Sequence, residues 1–383
     1  MNILASLAAA ACVVLGAAGF LTPAGRAQSG ADRRAKSIDG VFSPLISPAE
    51  PGAAVLVVED GRVVFERGYG VTDLRTRRPV DARTNFRLAS VTKQFTAAAV
   101  MLLVRDGRLR YDDALGRVFP DFPEYGRTVT IRQLLNHTSG LPDYEELMPT
   151  GDPSVSVEQN QIKDAGVLDL LKRQNAAKFS PGTKWDYSNS GYVILGLVVE
   201  KVSGSPFGKF LGERIFAPLK MDRTVAYERG KNEVPGRAFG HTREAGVWKE
   251  TDQSPTSATL GDGGVYSSLA DLARWDESLR RHSLLGAADM EPALTPVQTA
   301  GGAPVEPDGT TAAYGFGWFL NPWKGRARMW HSGETVGFRT AIQRFPADGL
   351  TVIVLANRAD LDAPRLALKT ADICLAEERI PGR

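Results

Sequence analysis

The strand-like segments of this 383-residue chain lie at its two ends, and that position constrains the fold more than any other feature. AAVLVV at 53–58 and RVVFERGY at 62–69 are separated by EDG at 59–61, which predicts a β-hairpin. Near the C-terminus, VGFRTAIQRF at 336–345 and LTVIVLA at 350–356 form a second such pair. We therefore predict one antiparallel sheet built from both ends of the chain.

The segments between these ends are helix-like. Apolar periodicity predicts helices at about 90–107, 130–136, 165–174, 191–202, 206–214, 268–280 and 363–379. Two short strands are predicted at 315–320 and 327–332. Residues 28–36 are polar and basic, which predicts a linker. The order predicts an α+β fold in which helices flank the antiparallel sheet. A sheet lobe (about 38–88 plus 310–383) would receive an inserted, mainly helical lobe (about 89–309). A cleft between two such lobes is a usual place for a site.

The N-terminus predicts export. Residues 3–21 are almost unbroken Ala, Leu, Val and Gly, and the small-x-small stretch Gly25-Arg26-Ala27 follows, which is typical of a secretory signal peptide cleaved near Ala27. An uncleaved transmembrane anchor is the alternative, since about 19 apolar residues can just span a bilayer. We expect residues 1–27 to be the signal peptide and 28–383 to form a single periplasmic or secreted domain, without stable membrane association after cleavage.

Charge and cysteine content limit the possible partners. The net charge is only +2, which argues against nucleic acid as a partner. Loss of the signal peptide would leave Cys374 as the sole cysteine, so we expect no intrachain disulfide and a buried, small apolar side chain there. The histidines show no metal-ligand spacing, and we predict no metal and no cofactor; we expect a structural role for His137.

A serine and a lysine open the apolar segment FRLASVTKQFTAAAVMLLV, residues 86–104. Ser90 taken alone fits a helix N-cap, but Lys93 stands where a capping box needs Glu or Gln and opposes the helix dipole. The two side chains share one helix face. Burial and the positive helix end both favour a neutral amine, and a neutral amine beside a hydroxyl is a general base next to a nucleophile.

Two more motifs strengthen this interpretation. Tyr187-Ser188-Asn189 precedes a predicted helix, and His331-Ser332-Gly333 ends a predicted strand. Together with Ser90-x-x-Lys93, they resemble the active-site motifs of the serine β-lactamase and penicillin-binding superfamily. They are most similar to its class C branch, which includes D-alanyl-D-alanine carboxypeptidases, D-aminopeptidases and esterases. The stretches at 131–144, 215–224, 261–275 and 331–346 resemble the same family.

The resemblance implies a role for each matching residue. Ser90 would be the acylated nucleophile, and Lys93 and Tyr187 would carry its proton. The residues that would bind substrate are Asn189, His331, Ser332, Gly333, Glu334 and Arg339, with the backbone N–H groups of Ser90 and Glu334 as the oxyanion hole. The reaction would be a two-step acyl transfer without metal or cofactor.

The third motif departs from most lactamases of this branch, which have lysine where this chain has His331. A histidine with a pKa near 6.5 is largely neutral at pH 7, so it would hold a substrate carboxylate weakly. Arg339 either supplies a cation instead or is a solvated strand residue.

We therefore expect an exported serine hydrolase that acts through an acyl-enzyme on D-amino-acid peptides or on small esters and amides. The alternatives are a β-lactamase and a non-catalytic protein that binds penicillin or cell-wall peptide. The partner would be a small-molecule or peptide substrate, and the sequence leaves the oligomeric state open.

Overall fold

A computed structural model describes residues 23–305 and 311–377. Most of the predicted signal peptide, residues 1–22, lies outside the described residues. The strands are β1 (Ala53–Glu59), β2 (Arg62–Tyr69), β3 (Phe86–Arg87), β4 (Val225–Ala226), β5 (His241–Glu244), β6 (Val247–Glu250), β7 (Val265–Ser267), β8 (Met329–Thr335), β9 (Phe338–Phe345) and β10 (Leu350–Ala356).

The predicted sheet from both ends of the chain is confirmed. Its five strands have the order β2-β1-β10-β9-β8. Every neighbouring pair is antiparallel, and β1 from the N-terminal part pairs with β10 from the C-terminal part along its full length. Strand β8 is an edge strand, so one of its sides is left without a strand partner in this sheet.

Helices cover both faces of this sheet. The α-helices of the described residues are α1 (Pro23–Phe42), α2 (Lys93–Arg105), α3 (Leu115–Val118), α4 (Glu124–Arg127), α5 (Ile131–Leu135), α6 (Tyr144–Leu147), α7 (Asp164–Lys172), α8 (Asn189–Ser203), α9 (Phe207–Leu211), α10 (Leu269–Arg281), α11 (Ala287–Met290) and α12 (Ala363–Glu377). A π-helical turn at Gly212–Phe216 and 3₁₀ turns at Ala89–Thr92, Glu291–Leu294 and Pro346–Asp348 complete the described helical structure. Within the described ranges, no helix combines the length and the apolar character that crossing a membrane requires.

The alternating side chains of β1 show how a hydrophobic core forms on each face of the sheet. Val55 and Val57 face a core made with α1 and α12, whereas Leu56 and Val58 face the larger core of the helical region. All four are buried, because a central strand that carries helices on both faces has no solvated side. Cys374 of α12 is buried in the first core, as the sequence predicted.

Two local predictions are wrong. The expected linker at 28–36 is part of α1, because Ile38 and Phe42 further along that helix bury an apolar stripe against the sheet. The expected strand at 315–320 makes only single bridges, from Phe319 to Tyr314 and Trp330, and its backbone turns at Gly317 with a φ of 76°.

Candidate active site

Ser90 lies in a 3₁₀ turn immediately before α2. This turn is Ala89–Thr92, and neither it nor α2 has a side-chain N-cap hydrogen bond. Ser90 is therefore not a helix N-cap in the structure. Ala89 has a φ of 48°, a conformation that is uncommon for a residue with a side chain and that often marks a functional turn.

The Lys93 amine is fully buried and makes three hydrogen bonds. Its Nζ lies 3.1 Å from Ser90 Oγ, 2.8 Å from Asn189 Oδ1 and 3.0 Å from the Asp262 carbonyl oxygen. The last two atoms can only accept. All three distances allow the amine to donate, and the Ser90 hydroxyl lies within hydrogen-bond reach of the same nitrogen. This geometry suits a group that exchanges a proton with Ser90.

Tyr187 is held beside this amine. The Lys93 Nζ lies 5.0 Å from the centroid of the Tyr187 ring. The next residue, Ser188, caps α8 by accepting a hydrogen bond from the Gly191 N–H, which places Asn189 at the first turn of that helix. The second motif therefore brings both an aromatic ring and an amide to the lysine.

His137 clamps the segment that contains Tyr187. Its carbonyl oxygen accepts from the Asp186 N–H at 3.0 Å, and its Nδ1 accepts from the Ser188 N–H at 3.1 Å. The rings of His137 and Tyr187 lie 4.3 Å apart between centroids. The sequence predicted a structural role for His137. The contacts indicate that this role is to hold Tyr187 in position.

His331 is a buried, neutral histidine. Its Nδ1 lies 2.6 Å from the Ser332 carbonyl oxygen, which can only accept, so this nitrogen carries the proton. Nε2 then accepts from the Tyr314 hydroxyl at 3.2 Å. Burial, with a smaller effect from the charge of Lys93, lowers the pKa of His331 from 6.5 to about 3. The ring therefore supplies no cation at neutral pH.

The strand that carries His331 lies directly against the turn that carries Ser90. A Cβ on Gly333 would come within 2.0 Å of the Leu88 carbonyl oxygen, so a side chain at this position would collide with that turn. The Thr340 hydroxyl also donates to the Leu88 oxygen, at 2.8 Å. Ser332 is half-buried on the same strand. Ser90 and Glu334 both line one cleft, as the predicted oxyanion hole requires.

Arg339 is occupied by its own hairpin. Its guanidinium donates to the carbonyl oxygens of Thr335 and Phe338, at 3.0 and 2.8 Å, and forms an ion pair with Glu334 at 2.8 Å. It is not among the residues that line the cleft beside Ser90. Arg339 is therefore not the solvated strand arginine that was the alternative. Its role in binding a substrate carboxylate stays a prediction.

Three charged residues of the cleft were not among the predicted site residues. Arg87, Glu145 and Asp262 line it together with Ser90 and Glu334. Asn189 donates to Glu145 at 3.3 Å, and burial raises the pKa of the Glu145 carboxyl, an effect to which the Asp143 and Asp262 carboxylates add. Asp262 lies inside a stretch that resembles the family, and Arg87 lies close to one. Their positions along the chain did not indicate that the two residues meet in one cleft.

Comparison with known proteins decides the family. The family model described as beta-lactamase matches residues 38–377. The chain belongs to the beta-lactamase family. This result confirms the resemblance that the three motifs indicated, and it agrees with a fold in which an antiparallel sheet is flanked by helices.

Relatives within the beta-lactamase family include several kinds of protein. Penicillin-binding protein 4* of Bacillus subtilis is 33% identical over 88% of this chain and 75% of its own length. A D-aminopeptidase of Brucella anthropi is 31% identical over 85% of this chain, which spans only 59% of that relative. An octameric penicillin-binding protein homologue from Pyrococcus abyssi has a similar structure, with a TM-score of 0.73, 26% identity and coverage of 93% of this chain and 78% of its own. These relatives support a general hydrolase role.

Proposed function

We propose that the chain is an exported serine hydrolase that forms an acyl-enzyme on Ser90 with amides or esters of D-amino acids. The observation that carries this proposal is the hydrogen bonding of the buried Lys93 amine, which joins Ser90 to Asn189. A general base must lie within hydrogen-bond reach of the hydroxyl that it activates, and Lys93 Nζ meets this condition at 3.1 Å from Ser90 Oγ.

In the proposed reaction, Lys93 takes the hydroxyl proton as Ser90 Oγ attacks the substrate carbonyl carbon. The proton passes by way of Tyr187 to the leaving amine or alcohol as the scissile bond breaks, and the acyl group stays on Ser90. Water then attacks the ester carbon and gives up a proton to the same pair of residues, which releases the acid and restores the hydroxyl. Backbone N–H groups beside Ser90 would stabilise the oxyanion.

The charges around the cleft favour a substrate with a free amino group. The carboxylates of Glu145, Asp262 and Glu334 line it, and Asp262 has a buried oxygen, Oδ1, with no hydrogen-bond partner among the described residues. A substrate ammonium would satisfy such an oxygen through a charge-assisted hydrogen bond. The D-aminopeptidase relative supports the same choice, and its name is the basis for the D configuration.

A second candidate, a carboxypeptidase, is favoured by Arg87. Its side chain is 3% exposed and lines the cleft, and its Nη2 donates to the Ser257 carbonyl oxygen at 3.1 Å. Its Nε and Nη1 have no partner among the described residues. A guanidinium with two unpartnered donors suits the terminal carboxylate of a peptide.

Matched substrates separate the two candidates. We expect the purified protein to hydrolyse a D-aminoacyl anilide with a free amine about 10–100-fold faster, in kcat/KM, than its N-acetylated form, because a charged hydrogen bond contributes about 1.5–3 kcal/mol. Glu145→Gln should reduce that ratio, and the exposed Glu146→Gln serves as its control. A dominant rate on N-acetyl-D-Ala-D-Ala would favour the carboxypeptidase instead.

Covalent labelling tests the nucleophile, and N-terminal sequencing tests export. A fluorophosphonate or fluorescent penicillin should label the protein and not Ser90→Ala; labelling that persists in this variant would refute the assignment. Burst acylation without turnover on any substrate would support a binding protein, and a dominant cephalosporin rate would support a β-lactamase. N-terminal sequencing of protein from the periplasm or medium should find a new terminus near Ala27.

A further inference from the structure

Three potential metal ligands meet away from the cleft that contains Ser90. They are Asp73 in the loop after β2, His241 at the start of β5 and Glu250 at the end of β6. Potential ligand atoms of all three lie within 4.8 Å of one another. His241 and Glu250 are directly opposite each other in the β5–β6 hairpin, so the pairing of these strands brings them together. None of the three lines the catalytic cleft.

His241 is the observation that points to a ligand. The residue is fully buried, and neither ring nitrogen has a partner within full hydrogen-bond geometry among the described residues, although backbone groups of Asn357 and Phe239 lie near the ring. Its backbone is fixed, since its N–H donates to the carbonyl oxygens of Asn357 and Gly337 at 3.1 and 3.3 Å. A buried imidazole without partners is unfavourable unless something binds it.

Arg75 neutralises the carboxylates of this group. Its Nε lies 3.1 Å from Asp73 Oδ1 and its Nη2 lies 3.4 Å from Glu250 Oε2. The guanidinium also stacks over the Phe239 ring. The Arg75 side chain is 60% exposed, and exposed ion pairs of this kind contribute only about 0–1 kcal/mol. Its displacement by a more strongly held cation would therefore cost little.

We propose that Asp73, His241 and Glu250 form a binding site for a divalent transition-metal ion, for which Zn²⁺ is the best match. One imidazole nitrogen and two carboxylates suit Zn²⁺, Mn²⁺ or Co²⁺, whereas Ca²⁺ and Mg²⁺ prefer oxygen ligands alone. Two ligands on one zinc ion lie at most about 4.2 Å apart, so the side chains must close by roughly half an ångström or more. Glu250 is exposed and has the freedom to do so.

The site would link the β5–β6 hairpin to the rim of the catalytic cleft. The His241 N–H binds the carbonyl oxygen of Gly337, in the turn between β8 and β9. That turn follows directly on Glu334 and Thr335, which line the cleft. A metal ion would thus restrain the loop of Asp73, the hairpin and this turn together, and should raise the melting temperature of the protein.

Direct Zn²⁺ binding tests the proposal independently of any enzymatic activity. In equilibrium dialysis of the full chain, we expect one Zn²⁺ per molecule. Glu250→Gln and His241→Asn should weaken binding at least tenfold. Glu244→Gln, at the other end of the hairpin, is the matched control and should leave binding unchanged. Arg75→Ala should tighten binding, because it removes the competing guanidinium.

Three outcomes would overturn the proposal. The first is a wild-type chain that binds no Zn²⁺ at micromolar concentration. The second is binding by Glu250→Gln and His241→Asn that is as tight as that of the wild type, which would place the ion elsewhere. The third is weaker binding by Arg75→Ala, which would mean that the guanidinium helps to form the site instead of competing with the ion. Thermal unfolding with and without Zn²⁺ verifies that each variant is folded.

Discussion

The neutral state of His331 predicts a specific loss of stability in acid. The folded protein holds the pKa of His331 at about 3, whereas the unfolded chain takes up the proton near 6.5. Because the folded-state pKa is lowered, the contribution of His331 to stability is complete above pH 6.5. It decreases as the pH falls from 6.5 towards 3, since only the unfolded chain then gains a proton.

The magnitude follows from the two pKa values. One pKa unit corresponds to about 1.4 kcal/mol, so the proton taken up by the unfolded chain lowers the unfolding free energy by about 2 kcal/mol at pH 5 and about 3 kcal/mol at pH 4. The full loss is about 5 kcal/mol, reached below pH 3. Even the value at pH 5 is a large part of the stability of an ordinary domain.

Urea unfolding of the wild type and of His331→Asn between pH 7.5 and 4 measures this effect. The asparagine amide can still donate to the Ser332 carbonyl oxygen but cannot titrate. The other buried histidines with lowered pKa, His137 and His241, are present in both proteins and cancel. We expect the stability difference between the two proteins to shift by about 2 kcal/mol from pH 7.5 to 5. A difference that is independent of pH would refute the neutral, buried state of His331.

Substitutions at three further residues test the site. Lys93→Met should slow acylation of Ser90 by about 10²–10⁴-fold in single-turnover measurements, since it removes the base; an unchanged rate would exclude that role. His137→Leu should lower kcat about tenfold or more with KM little changed, because Tyr187 loses its clamp, and His137→Asn, which retains an acceptor, should recover most of kcat. Gly333→Ala should lower the unfolding free energy by about 1–3 kcal/mol in urea, because its Cβ meets a carbonyl oxygen; wild-type stability would contradict this close packing.

Much of the fold could be predicted because it is encoded locally. Strand β1 is a continuous apolar run followed by a turn signal, and α10 combines the cap Ser268 with an amphipathic face. Helix α1 could not be predicted in this way, because the segment at 28–36 is polar and becomes helical through the tertiary contacts of Ile38 and Phe42. The intrinsic helix propensity of the residues does not account for such contacts.

The sequence by itself indicated the residues that we propose for the chemistry. Ser90, Lys93, Tyr187 and Asn189 stand in short motifs whose spacing along a helix or a turn already decides which side chains are neighbours. For the same reason, the motifs alone were enough to indicate the family.

Only the tertiary structure decided the electrostatics. It buried His331 until its pKa fell to about 3, tied Arg339 to its own hairpin, and brought Arg87 and Asp262 from distant segments to one cleft. It also brought Asp73 within reach of His241. Burial and through-space charge depend on how distant segments pack, and no local pattern of residues reports them.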